Sequence, residues 1–291
     1  MRVITQPPNL EDYLSTASRR IDAGPRRRVS VVTICLNACS TIGKTIDSVQ
    51  AQSFADIEYI VVDGGSTDGT QQYVESRLRP GDFLLSEPDR GISDAFNKGV
   101  ALARGELIQF INADDWLSEN QIETAVAVLD RTHADFTFGD LIFYEGGAPS
   151  FRYRGDPDYA SKLFTHLPAM NHPTVLARRS AYEQIGLFSL EYRCAMEYDW
   201  FQRLHRAGGH GVYDPGIQGH MVHEGVSNRQ YKRTFAEVRS ISIKYGRFSL
   251  AARFDEMIRL TKVRTSFLIR QRSDRIYRFT RRAINRSYKS L

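Results

Sequence analysis

The sequence predicts an α/β fold: a mostly parallel, Rossmann-like sheet flanked by helices, then a mixed region, then a basic helical tail. Three observations carry this expectation. Short β-branched apolar runs recur at a spacing of about 25 residues. Each is followed by a stretch whose apolar residues have helical spacing. Gly- and Asp-rich turns stand where the runs end. Such alternation puts parallel strands into one sheet and covers both faces with helices.

Residues 1–28 are polar and end in Gly24-Pro25-Arg26-Arg27-Arg28, a leader or linker. Residues 29–34, Val29-Ser30-Val31-Val32-Thr33-Ile34, suit a buried strand. Residues 41–54 have Ile42, Ile46 and Val49 on one helical face. A second strand over 58–62 runs into Asp63-Gly64-Gly65-Ser66, and a helix over 67–78 has Asp68-Gly69 at its start. A third strand covers 83–86, and a helix over 93–103 is ended by Gly105. The fourth strand, 106–111, runs into Asn112-Ala113-Asp114-Asp115-Trp116. Ser118 is expected to cap the next helix, with Glu119 in its first turn. After residue 135 the pattern changes: 136–138 and 141–144 read as strands of a mixed region, and 171–176 as a turn entering a strand. Residues 196–207 read as a helix carrying Glu197, Asp199, Arg203 and Arg206. The expected organisation is a leader over 1–28, one domain over 29–246 and a basic amphipathic tail over 247–291.

Length and composition agree. At 291 residues, 42% hydrophobic and 25% charged, the chain can bury a sizeable core, which excludes disorder as its overall state. Three cysteines, Cys35, Cys39 and Cys194, are too few for a disulfide scaffold and fit a reducing compartment. Cys35 and Cys39 lack the second Cys/His pair of a zinc site. No apolar run approaches the ~20 residues that span a bilayer. The N-terminal stretch lacks the apolar segment of a signal peptide.

The net charge of +5 is unevenly placed. Residues 1–246 hold 26 Lys/Arg against 31 Asp/Glu; residues 247–291 hold 13 against 3, a net of +10. The tail interleaves Arg with Phe267, Leu268, Ile269, Ile276, Tyr277, Phe279 and Ile284, and Ile276, Phe279 and Ala283 share one helical face. A helix of this kind suits an anionic membrane interface, or is simply solvated and basic. Nucleic acid is not an expected partner, because it would leave the acidic motifs unexplained.

Those motifs stand at strand ends, where sheets of this kind bind ligands. Asp114 and Asp115 are adjacent carboxylates, which repel unless a cation joins them. Magnesium or manganese, with hard oxygen ligands, suits the pair; an acidic helix start is the alternative. Asp63-Gly64-Gly65-Ser66 lacks the lysine of a P-loop and the GxGxxG of a dinucleotide site. It reads as a turn, or as a place for an Asp that accepts from a base N–H.

The ordered set SVVTICLNACSTIGKTIDSVQAQSF, IEYIVVDGGSTDGT, SEPDRGISDAFNKGVALARGELIQFINADDW, NHPTVLARR and MEYDWFQRL spans most of the chain. It resembles family 2 glycosyltransferases of the GT-A fold, bacterial cell-surface polysaccharide type. The resemblance implies an inverting hexosyl- or N-acetylhexosaminyl-type enzyme. It would move sugar from a nucleotide-diphosphate sugar, UDP being the commonest donor base, to a glycan or lipid-linked acceptor. A nucleotide-sugar-binding protein without transfer is the alternative.

The resemblance also implies roles. Thr33 and Asn37 would line the nucleotide pocket, Asp63 would read the base, and Asp89, Arg90, Asn97 and Lys98 would sit beside the nucleotide. Asp115, with Asp114, would hold Mn2+ or Mg2+, and His223 would complete the metal shell. The family motif often begins with Asp where Asn112 stands. Glu197 aligns with the general base, and Asp199 is its rival. His172 and Trp200 would border the acceptor. The expected location is cytoplasmic, peripheral at the inner face of the cell membrane.

Overall fold

The computed structural model describes residues 7–18, 26–165, 168–222, 230–272 and 288–289. One helical turn, α1 (Leu14–Ala17), precedes β1 (Val29–Cys35), α2 (Ile42–Gln50), β2 (Ile57–Asp63), α3 (Thr70–Glu75) and β3 (Phe83–Ser86). Then come α4 (Ile92–Leu102), β4 (Leu107–Asn112), β5 (Trp116–Leu117), α5 (Gln121–Thr132), β6 (Phe136–Glu145) and β7 (Ala148–Tyr153). They are followed by α6 (Tyr159–Lys162), β8 (Leu176–Arg178), α7 (Arg179–Ile185), α8 (Met196–Arg206) and β9 (Gly211–Val222). The last elements are α9 (Tyr231–Lys244), α10 (Ser249–Arg272) and β10 (Tyr288–Lys289).

The strand order is β10–β7–β6–β8–β4–β1–β2–β3. The β4–β1–β2–β3 half is parallel throughout. β8 and β7 pair antiparallel with their neighbours, which is the mixed region. β9 runs parallel to β6 and antiparallel to β5.

Alternation along the central strands feeds two cores. Val32, Ile34, Ile60, Val62, Ile108 and Phe110 face one way, onto α4, α7, α8 and α9 through Phe96, Tyr182, Trp200 and Ile241. Val29, Val31, Tyr59, Val61, Leu107 and Ile111 face the other way, onto α2, α3 and α5 through Ile42, Val74 and Ile122. All seven β1 residues are buried, as a strand covered on both faces requires.

Three expectations change. The helix over 67–78 shortens to α3 because Gly69 is left-handed at φ 91° and the Asp68 carboxylate takes the Thr70 N–H at 3.0 Å. Ser118 does not cap α5: the helix starts at Gln121, and Ser118 Oγ lies 2.9 Å from His220 Nε2. The two strands over 136–138 and 141–144 are one, β6. Gly139 does not break it; a Cβ there would stand 1.9 Å from the Ile217 carbonyl, so the glycine admits β9.

Both end segments dock in part. Tyr13 is buried, its hydroxyl donating to Asp94 at 2.6 Å, and Leu187 N–H donates to the Pro8 carbonyl at 2.8 Å. α9 ends in a Schellman turn: Gly246 has φ 98°, its N–H bonds the Ile243 carbonyl, and Arg247 N–H bonds the Ser242 carbonyl. That turn folds α10 back on α9, with Arg247 on Asp255 at 3.0 Å and Arg239 on Glu256 at 3.1 Å. The amphipathic face expected at Ile276, Phe279 and Ala283 lies outside the described residues.

Candidate active site

The parallel strands deliver their carboxyl ends side by side. Cys35 of β1 pairs with Asp63 of β2, and Ile34 pairs with Asn112 of β4. Asp63 and the Asn112 turn therefore stand roughly 10 Å apart, two strand spacings, on one edge of the sheet.

Asn37 takes a left-handed conformation, φ 51°, which Asn tolerates better than most residues. Its N–H donates to Ser66 Oγ at 2.7 Å, and its side-chain oxygen accepts from Thr67 N–H at 2.9 Å. Asn37 thus clips the end of β1 to the loop after β2.

Asp63 is wholly enclosed. Its carboxylate accepts from the Ser66 N–H at 3.0 Å, the Ser66 hydroxyl and the Ser86 hydroxyl at 2.7 Å. A carboxylate so occupied shapes the loop and does not meet a base, contrary to the role expected of it. Beside it, Asp89 is partly exposed: one oxygen accepts from Gly91 N–H at 2.7 Å. The other lies where a Cβ on Gly64 would be, 2.3 Å away, with Leu36 Cδ1 at 3.5 Å from the same point. Gly64 is thus required by the close approach of Asp89. Leu36, 58% exposed at this edge beside Gly64 and Asp89, is a candidate that the sequence motifs did not single out.

Thr33 is also corrected. It is fully buried and bonds the Tyr59 hydroxyl at 2.9 Å, so it lines the core. Asn97 spends its amide on the Phe188 backbone, donating to the carbonyl and accepting from the N–H, both at 2.9 Å. Lys98 donates to the Pro88 carbonyl at 2.8 Å and pairs with Glu87 at 2.9 Å. Lys98 thus holds the 87–91 loop from behind, while Asn97 ties α4 to the Phe188 backbone. Arg90 is 68% exposed, yet its guanidinium lies 2.8 Å from Asp94 and 3.2 Å from the Tyr13 hydroxyl. Burial and the Asp94 hydrogen bond push that hydroxyl up to about 12.

At the end of β4, Asp115 N–H bonds the Asn112 carbonyl at 3.1 Å, closing the acidic turn. Thr45 of α2 braces it by donating to the Asp115 carbonyl at 2.7 Å. Asn112 Nδ2 donates to Asp115 Oδ2 at 3.1 Å, which gives Asn112 its role. Asp115 Oδ1 is buried with no hydrogen-bond partner. Burial, then the neighbouring Asp114, holds the Asp115 carboxyl well above the usual range, and burial raises Asp114 as well. A bare oxygen on a buried carboxylate fits a cation. Among the described residues no group of three or more His, Cys, Asp or Glu gathers here, and His223 lies outside them. His220 is engaged elsewhere, stacked on Trp116 at 5.3 Å. Lys44 Nζ sits 3.1 Å over the same indole.

Across the β4 face, His172 packs on Phe110 and Phe96, and Glu197 stands at the start of α8. Burial lowers His172 to about 4, so it is neutral, and its Nδ1 lies 3.8 Å from Glu197 Oε1, beyond hydrogen-bond reach. Burial pushes the Glu197 carboxyl up to about 7. Asp199, two residues on, faces elsewhere: it is fully buried and bonds Arg203 at 2.9 Å, Lys244 at 3.2 Å and the Tyr245 hydroxyl at 3.0 Å. It is an anchor of α8 and not a rival base. Trp200 is 1% exposed among Tyr182, Phe188 and Phe201, which excludes it from an acceptor surface.

Comparison with known proteins gives the family and the fold. The family model for glycosyl transferase family 2 matches residues 30–186. A "PGL/p-HBAD biosynthesis glycosyltransferase" of Mycobacterium bovis is 32% identical over 177 residues, 59% of this chain and 67% of the relative. A "Glycosyltransferase GlyG" of Streptococcus pneumoniae is 28% identical over 128 residues, 43% of this chain and 42% of the relative. Among solved structures, the mannosyltransferase PcManGT of Pyrobaculum calidifontis, in complex with GDP-Man and Mn2+, superposes with a TM-score of 0.58 at 20% identity, covering 82% of this chain and 72% of that one. S. aureus TarS 1–349 with UDP-GlcNAc gives 0.57 at 17% identity, covering 77% and 69%. This chain spans 41% of the longer TarS structure. The chain belongs to glycosyl transferase family 2 and has the GT-A fold.

Proposed function

We propose that this protein is an inverting glycosyltransferase that moves a hexosyl or N-acetylhexosaminyl group from a nucleotide-diphosphate sugar to a glycan or lipid-linked acceptor. Glu197 carries the reading: a carboxyl raised to about 7, at a helix start, beside a neutral His172. A base of that strength takes a proton near neutral pH and can still lose it. His172 limits water around Glu197 and adds no positive charge that would weaken it as a base.

In this reading the nucleotide lies along the carboxyl edge of β1, β2 and β4. Leu36 and Gly64 flank it, and Asp89, in place of Asp63, meets the base. Arg90 stands at the rim. Complexes of the neighbours with UDP-GlcNAc and with GDP-Man and Mn2+ support such a donor and a divalent cation. Asp115 Oδ1, with Asp114, would hold Mn2+ or Mg2+, the remaining positions falling to water and phosphate oxygens. When bound, the cation would neutralise charge on the departing diphosphate.

Glu197 takes the proton of the acceptor hydroxyl. The hydroxyl oxygen forms a bond to the anomeric carbon, and the bond from that carbon to the diphosphate oxygen breaks, its electron pair leaving with the diphosphate. One displacement inverts the anomeric centre. The acceptor belongs to cell-surface polysaccharide synthesis at the inner face of the membrane, where the +10 of residues 247–291 favours peripheral attachment.

Calorimetry with UDP-, GDP- and dTDP-sugars, with and without Mn2+, tests the site. One donor is expected to bind in a metal-dependent way, and no binding by the folded protein would overturn the reading. Glu197→Gln is expected to keep donor binding and lose about 10²- to 10⁴-fold in transfer rate. Unchanged turnover would remove Glu197 from the reaction.

A further inference from the structure

The polarity of α10 is inverted for a helix on a protein in water. Its inward face carries charge: Asp255 meets Arg247 at 3.0 Å, Glu256 meets Arg239 at 3.1 Å, and Arg259 reaches the Thr165 carbonyl at 3.5 Å. Over residues 250–258 its outward face is apolar. Leu250 is 67% exposed, Phe254 58%, Met257 54% and Ile258 37%. At 3.6 residues per turn these four fall within an arc of about 100°. Arg253 and Arg264 border that arc on one side and Lys262 on the other, all exposed. Phe248, 72% exposed, precedes the helix at the Gly246 turn. Apolar ridges of this kind on a water-facing surface mark an interaction site.

We infer that the outward face of α10 is the surface by which the protein lies on an anionic lipid bilayer. An apolar ridge edged by cationic side chains on long stems suits an interface where apolar groups enter the acyl boundary and cations stay among anionic headgroups. The +10 of residues 247–291, against −5 for the rest, supplies the complementary charge. A second copy of the chain would bring like charges together on this face.

The consequence for the site is geometric. α10 is packed on α9, and α9 holds both ends of the α8 contact. Glu237 of α9 accepts from the N–H groups of Arg193, Cys194 and Ala195 at 3.1, 2.8 and 3.1 Å, just before Glu197. Lys244 and Tyr245 anchor Asp199. A bilayer under α10 therefore fixes the orientation of α8, and with it Glu197, relative to the lipid surface. This last step rests on the proposed role of Glu197; the lipid contact itself does not.

Flotation of the full chain with vesicles of phosphatidylglycerol and phosphatidylcholine, against phosphatidylcholine alone, tests the contact. Wild type is expected to float with the anionic vesicles only, and less so as salt rises. Phe254→Ser/Met257→Ser and Arg253→Gln/Lys262→Gln/Arg264→Gln are each expected to weaken binding by about tenfold or more. If the apolar variant does not fold, the rim variant decides. Absence of wild-type binding, or variants that bind like wild type, would overturn the inference. So would a solution dimer that Phe254→Ser/Met257→Ser dissolves, since a second copy would then cover the face. Donor calorimetry on the same proteins separates the two proposals: lost donor binding in wild type would end the transferase reading and leave the vesicle result to judge α10.

Discussion

At the scale of single residues, burial does most of the chemistry. Glu197 has an ordinary value of 4.5 and is raised to about 7. The base form therefore accumulates only around neutrality, and transfer is expected to fall on the acid side with an apparent midpoint at about pH 7. A pH–rate profile of kcat/KM, which reports the free enzyme, checks this; a midpoint near the ordinary carboxyl value would contradict it. Stability has the opposite slope. A carboxyl raised by folding contributes stability that is present below 4.5 and lost as pH rises through about 7. Glu197→Gln is thus expected to melt a few degrees above wild type at about pH 8 and level with it at about pH 4. The variant expected to slow transfer should be the more stable protein at alkaline pH.

At the scale of elements, α8 is held from outside itself. Its first turn has no side-chain cap of its own, and Glu237 of α9 instead holds the three N–H groups leading into it, those of Arg193, Cys194 and Ala195. Its second anchor is Asp199, which joins Arg203 on the same helix to Lys244 and Tyr245 at the end of α9. Asp199→Asn leaves two partly buried cations without their carboxylate and is expected to cost about 2 to 3 kcal/mol. Denaturant unfolding checks the loss, while donor affinity of the folded fraction should be unchanged. The leader acts similarly on α4. Tyr13 links Asp94, Arg90 and Asn97 through one hydroxyl. Tyr13→Phe is expected to cost about 1 to 2 kcal/mol and to loosen Arg90 at the rim. An unaltered melting curve would show that the leader contact is not stabilising.

For the molecule as a whole, the acidic turn couples stability to its ligand. Asp115 is a buried carboxylate with one bare oxygen and an acidic neighbour, an arrangement that costs stability while no cation is bound. Asp115→Asn is therefore expected to raise the melting temperature in metal-free buffer. Mn2+ with donor should raise wild type by mass action, by about 2.7 kcal/mol at a hundredfold excess over Kd, and should leave the variant unmoved. Differential scanning calorimetry in chelator and in Mn2+ reads both. A variant that responds to Mn2+ like wild type would place the cation elsewhere.

The parallel half-sheet was legible because β-branched runs and helical spacing are local signals; the third strand's bounds, 83–86, are those of β3. The acidic turn after β4 was legible too, since Asp114-Asp115 at a strand end reads the same in sequence and in space. Helix starts were not, because Ser118 had a distant competitor in His220. Nor was the division of labour among carboxylates. Asp63, Asp89, Glu197 and Asp199 look alike along the chain. Ser66 and Ser86 enclose Asp63, Gly64 leaves Asp89 open, Lys244 and Tyr245 saturate Asp199, and Glu197 alone is raised without an ion partner. The sequence by itself determined the family, the layered sheet and the edge at which the acidic motifs gather, because short-range periodicity and motif order encode them. Only the tertiary structure decided which carboxyl is raised by burial, which keeps a bare oxygen and which is a strut, because a carboxylate's strength is set by neighbours distant in the chain.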